Sequence, residues 1–397
     1  MLTTSDLAKW DKHGRCAGAS RLSWLMVLAI GAYSCSSLGL SAQTSDSQTG
    51  DTNKSWTATT EVQADNLNPT RTIESHTHSG NRTLDEQSVQ RRGADGHFEP
   101  YQDIEKETVK VDATTVRTTT RTFGRNADGA KTLVQVTEEE KHTLPGGDSN
   151  VVRAISNSDV NGNLQLVQRE IETKRTGKDG EETKTTVMLP SVDGGLAPAM
   201  KVQERRTLGG NDTVESQRTT LFPDGSGSWQ VGEVRNATTR NEGKNRSTEE
   251  RVSCLDSEGK LSECSHTVSK ESESASGEQR NTVETYSLDL PGSARDGNLH
   301  LVERASTAQR TSSTGEQTTE QQVEQPNPGA PGSGLRVTTL ITDTVQPGPS
   351  GAQATRIIQA RDANGSFGAV SVVSVDSTKS DNIFAIQIQG APSQKPQ

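Results

Sequence analysis

Glycines preceded by Asp, Asn or Glu, or by a short polar turn, return along this chain at nearly even intervals: Gly96, Gly129, Gly162, Gly194, Gly225, Gly259, Gly297 and Gly365. The first spacings are 33, 33, 32, 31, 34 and 38 residues, and Gly334 divides the last interval. A second series, Gly146, Gly180, Gly210, Gly243, Gly277, Gly315 and Gly351, falls about halfway between. Each repeat therefore holds two turns and two segments of about a dozen residues. Asp-Gly and Asn-Gly between extended segments are hairpin signals, because glycine accepts the positive φ that such turns require.

The segments between the turns are strands by residue choice. NLQLVQREIETKRT, EETKTTVML, DTVESQRTTL and QATRIIQAR are rich in Val, Ile and Thr, and apolar residues do not recur at helical spacing. Strand, turn, strand, turn is the order of an antiparallel meander. In QREIETKRT and VQERRTL, charge falls on both alternating faces, so neither face is a continuous apolar surface. The expectation is an all-β chain, a repetitive antiparallel meander of hairpins of about 33 residues forming an elongated single-layer or loosely coiled sheet. This polar meander resembles the free-standing central sheet of spirochaete outer-surface lipoproteins, a likeness of architecture without a shared motif. An outer-membrane barrel is disfavoured, because lipid-facing positions would be uniformly apolar and flanked by aromatic girdles.

Only 28% of the 397 residues are hydrophobic and 3% aromatic, which is poor material for a dry core. Part of that content lies in LSWLMVLAIGAY, an apolar run after Lys9, Lys12 and Arg15 that reads as an export signal, with cleavage expected after Ala42. A lipid anchor at Cys35 is the rival reading, weakened by the bulky Tyr33. The expected division is a signal peptide at 1–42, a disordered polar leader at 43–87, the hairpin array at 88–380, and a terminal strand with a disordered tail at 381–397. The apolar runs SFGAVSVVSV and NIFAIQIQ are expected to cap the array. A net charge of -10 argues against a nucleic-acid binder.

Chemistry is sparse. Export permits a disulfide between Cys254 and Cys264, although a tight turn at Gly259 sets Cys254 opposite Ser262, so the bridge requires a bulge or a wider loop. Asn157, Asp159 and Asn161 before Gly162 match the start of a calcium loop, but the bidentate position holds Gln168 and the same pattern recurs at ordinary turns. His76 and His78 with Glu74 form a second, thinner metal candidate. No catalytic or cofactor-binding pattern is present. Sequons at Asn53, Asn81, Asn211, Asn236, Asn245 and Asn364 are no denser than a Ser/Thr-rich chain gives by composition.

These features point to an exported non-enzymatic repeat protein, a structural or surface-display element of the cell envelope or extracellular matrix. The alternatives are an adhesin or carbohydrate-binding module using Trp56 and Trp229, and a fibre subunit. The partner is unknown, with a cell-surface glycan, a protein or self-association through the C-terminal strands as candidates.

Overall fold

The computed structural model describes residues 55–378, apart from 65–66, 127, 211, 257, 294–295 and 363. Twenty strands follow one another in chain order. They begin with β1 (Ser55–Ala64), β2 (Leu67–Ser79), β3 (Arg82–Arg92), β4 (Phe98–Lys110) and β5 (Thr115–Arg125). Next come β6 (Lys131–Thr143), β7 (Ser149–Ser158), β8 (Leu164–Gly177), β9 (Gly180–Pro190) and β10 (Leu196–Leu208). The third group is β11 (Thr213–Pro223), β12 (Trp229–Glu242), β13 (Asn245–Leu255), β14 (Leu261–Glu273) and β15 (Gln279–Ser287). The ring ends with β16 (His300–Thr311), β17 (Gln317–Pro326), β18 (Leu335–Gly348), β19 (Gly351–Arg361) and β20 (Phe367–Ser377).

Each strand pairs antiparallel with the next, and β1 pairs antiparallel with β20 through Thr60↔Ser377 to Ala64↔Val373. The sheet is therefore a closed twenty-stranded barrel. The antiparallel hairpins of the sequence reading stand, but the elongated, open meander is corrected. Local turn chemistry fixes each hairpin, whereas closure depends on two strands more than 300 residues apart in sequence.

All the turns of the Gly96 series lie at one end of the barrel, here the first rim. The second series, with the described ends Ser55 and Thr378, lies at the other, the second rim. At the first rim most of the turns repeat one design. The Asp159 N–H donates to the Asn163 carbonyl, and the Gly162 N–H donates back to the Asp159 carbonyl with Gly162 at φ +83°.

A β-bulge follows five residues later in most hairpins: Tyr101, Val134, Val167, Ala199, Cys264, Val302 and Val370 are each the extra residue of their pair. Bulges bend a strand and raise its twist, and a ring of them at one height curls the meander into a tube. The register also slides: pairings that begin at Thr77↔Leu84 near the second rim reach Met188↔Pro198 near the first after eight strand-to-strand steps. A stagger of about one residue per strand is the ratio that accompanies a tilt of roughly 36° in smaller barrels.

Residues 55–79, which composition assigned to a disordered leader, supply β1 and β2. Their polar alternation, as in SWTATTEVQA, is the same Thr-rich code as every other strand, and it orders because both neighbours offer ladder partners. The expected signal peptide and the segment 381–397 lie outside the described residues.

Nine of the most buried side chains share one face of the sheet: Ala58, Thr60, Ser149, Val187, Val252, Ala352, Ala354, Val375 and Ser377. Their common parity is fixed by register, for example Ala354↔Val375↔Val62 and Ala352↔Ser377↔Thr60. The concave side of a tube is the less accessible one, so this face is the inner wall. Along β8 the inner residues Gln168, Glu170, Glu172 and Lys174 are half-buried, while Arg169, Ile171 and Arg175 on the outer face are exposed.

Candidate functional site

The inner wall is shared by all twenty strands, and alternation along each strand decides what reaches it. Twenty strands about 4.8 Å apart give a perimeter of roughly 100 Å across the strands, more than inward side chains of this size can fill. The small cluster of Ala352, Ala354 and Val375, backed by Val62, Val345 and Val373, packs against the seam rather than across the lumen. The wall is held by ladders and cross-strand pairs.

Charged networks tie neighbouring strands together across that wall. Arg153 on β7 donates from Nε and Nη2 to Glu139 on β6, at 2.9 and 2.6 Å, and from Nη1 to Glu170 on β8 at 2.7 Å. Burial works against the Arg153 charge, but the two carboxylates outweigh it and hold its pKa above the ordinary arginine value. Arg356 forms a two-pronged pair with Asp343, both bonds at 2.7 Å. That pairing outweighs burial and raises the arginine pKa. Arg235 bridges Glu233 at 2.6 Å and Glu250 at 3.4 Å. Near the second rim, His76 Nδ1 lies 2.6 Å from Asp85 Oδ1, and the His76 ring stacks on Trp56 with centroids 5.6 Å apart.

The outer wall is charged as well. Arg117 pairs with Glu140 at 2.8 Å, and Lys184 with Glu182 at 3.0 Å. Two surface hollows flank the seam, of about 450 Å³ and 520 Å³, sharing Glu61 and Asp376. Glu61 and Asp376 are register partners across the seam, and Glu61 accepts from Arg71 Nε at 2.7 Å.

The sequence-derived sites are dispersed. Asp159 spends its Oδ1 on the N–H groups of Asn161 and Asn163, at 2.8 and 2.9 Å, while Asn157 accepts from Gln135 across β6. Those backbone bonds, the Asn163 bond first, hold the Asp159 pKa below the usual carboxylate range. The carboxylate serves its own turn. His78 sits 3.0 Å from the Thr83 hydroxyl, and His76 is engaged by Asp85. Among the described residues no group of three or more His, Cys, Asp or Glu is arranged to hold a metal ion. Cys254 and Cys264 are joined, with Cα atoms 5.7 Å apart; Cys254 faces Ser262 in register and Cys264 is the bulge residue. Trp56 and Trp229 lie at opposite rims and form no common platform. The inner arginine networks escaped the sequence reading because their members come from two or three strands, and only the register brings them together.

Closure removes the open, wide-faced sheet on which the display-element reading rested, and with it the adhesin and fibre-subunit alternatives. No family model and no curated protein matches the sequence. Solved structures with an overlapping strand arrangement include OccK2 (OpdF) of Pseudomonas aeruginosa in complex with glucuronate, at 8% identity and a TM-score of 0.41, covering 82% of this chain and 96% of that one. OmpF of Salmonella typhi, in complex with daunomycin, aligns at 6% identity and a TM-score of 0.35, covering 83% and 99%. OmpT of Vibrio cholerae, an outer membrane protein, aligns at 8% identity and a TM-score of 0.26, covering 82% and 100%. Superpositions of this quality assign neither a family nor an activity to the chain.

Proposed function

We propose that the barrel is a water-filled, non-enzymatic passage of the cell envelope that admits small polar solutes. The observation that carries this reading is a closed ring whose inner wall is lined by charged, half-buried side chains instead of a packed core. Ordered ion pairs on the wall present guanidinium and carboxylate groups to anything polar in the lumen, and they hold a hydrated bore open by keeping their own charges solvated. Charges also occupy mid-strand positions of the outer wall, Arg121, Glu138, Arg169 and Lys184 among them. A lipid-facing arginine or lysine at mid-depth costs about 2 to 4 kcal/mol, so the wall stands in water on both sides. The passage therefore spans an aqueous layer and does not itself pierce the bilayer.

Size-graded labelling tests the open bore. Thr137 is half-buried on the inner face of β6, and its neighbour Glu138 is exposed on the outer face. In Thr137→Cys and Glu138→Cys variants, a small charged thiol reagent is expected to modify both positions, whereas a bulky polymer maleimide modifies only position 138. Protection of position 137 from the small reagent would show a collapsed lumen and end the proposal.

A further inference from the structure

Aromatic side chains are segregated along the barrel axis. Of the eight described Phe, Tyr and Trp residues, Trp56 alone belongs to the second rim; the others fall near the first-rim ends of their strands. Four of them carry a basic group over the ring: Arg71 over Phe98, Arg91 over Tyr101, Lys131 over Phe123 and Lys201 over Trp229, at 3.5 to 4.1 Å.

Within this rim three adjacent hairpins stand out, β7–β8, β9–β10 and β11–β12. Most of the other turns at this rim are flanked by Arg or Lys, as in RGADGHF, RNADGAK and RDANGSF. Here they read SDVNGNLQL, LPSVDGGLAPAM and LFPDGSGSW. Val160 and Val192, at the turn tips, are fully exposed at 101% and 103%. Leu164 and Leu166 are exposed behind them on the outer face, and Trp229 closes the patch under Lys201. The patch is convex, made of protruding tips. The Asp159 and Asp224 carboxylates in it accept from their own backbone N–H groups, while Asp193 stands exposed beside Val192.

From this geometry we infer that the first rim docks on a lipid surface, with the two apolar hairpin tips, Val160 and Val192, entering the headgroup zone and the aromatic–cation pairs lying at its level. Convex apolar tips flanked by aromatic and basic side chains match the chemistry of the membrane–water interface, where amphipathic rings and Lys or Arg stems are favoured together. Insertion is shallow, because the turn carboxylates stay charged. The charged wall above the tips remains in water. The inference stands independently of what passes through the lumen.

Flotation of the full chain with phosphatidylcholine vesicles is the test, comparing wild type with Val160→Asp/Val192→Asp and with a control, Val111→Asp/Leu208→Asp. Val111 and Leu208 are also exposed, at 50% and 59%, but at the second rim. The apolar run at residues 22–33 is common to all three proteins, so any difference reads the rim. The first-rim variant is expected to lose vesicle binding by about tenfold while the control binds as wild type. All substituted positions are exposed, and an unchanged circular dichroism spectrum shows that folding is intact. Equal binding by all three proteins, or no binding by wild type, overturns the inference. A wild-type dimer that the first-rim variant makes monomeric, without vesicle binding, also overturns it and assigns the patch to a second copy of the chain.

Discussion

Thr60 and Ser377 face each other across the seam between β1 and β20, both buried, with their hydroxyls sharing a hydrogen bond at 2.8 Å. The two residues are 317 positions apart, and in an open meander they would stand at opposite ends of the sheet. A Thr60→Cys/Ser377→Cys variant is expected to form an intramolecular cross-link under mild oxidation, seen as a mobility shift reversed by reductant. A chain that oxidises only into dimers would show that the ring does not close.

A second prediction concerns Gly351, at φ +148° beside the same seam. A Cβ there would fall 2.0 Å from the Ser377 carbonyl oxygen, while one at Gly348 would meet nothing nearer than 3.6 Å. Gly351→Ala is expected to destabilise the barrel by about 3 kcal/mol, combining backbone strain with displacement of β20. Gly348→Ala should stay within about 1 kcal/mol. Denaturant unfolding of the two variants decides it.

Removing the Arg153 guanidinium leaves Glu139 and Glu170 without their shared partner. All three side chains are partly exposed, so Arg153→Met is expected to cost only about 1 kcal/mol. Glu139→Gln in the same background should recover part of that loss, and a double-mutant cycle measures the coupling.

Asp112, in the β4–β5 turn at the second rim, accepts the N–H groups of Thr114 and Thr115 at 2.7 and 2.8 Å. Those bonds, the Thr114 backbone bond first, lower its pKa from 3.8 to about 2. A carboxylate with a depressed folded pKa adds stability above its unfolded value and loses it as pH falls through the folded one. Amide protection at Thr114 and Thr115 is therefore expected to hold at neutral pH and decline between about pH 4 and 2. Asp112→Asn should show the reduced protection already at neutral pH, measured by hydrogen exchange.

The hairpins were legible because their determinants are local: Asp159, Gly162 and Asn163 complete a turn among themselves. The bulge at Cys264 was one of two alternatives, with a wider loop as the other, since Cys254 faces Ser262 by count. The ring was not legible, because pairing of Val62 with Val375 is a property of the whole stagger and of no single segment. Nor was the ordering of β1 and β2. In a wall that is polar on both sides, a strand and a disordered leader have nearly the same composition, and only the presence of a neighbour distinguishes them. The Glu139–Arg153–Glu170 network was hidden for a related reason: alternation showed charges on both faces, but not which would meet.

The recurrence of the bulge five residues after the turn glycine means that one hairpin carries its own share of curvature and stagger. Gain or loss of a single hairpin of about 33 residues would then change the perimeter by roughly 10 Å and leave each remaining joint as it was. The calibre of such a tube changes in discrete steps, and gene duplication can widen or narrow it without inventing new local structure.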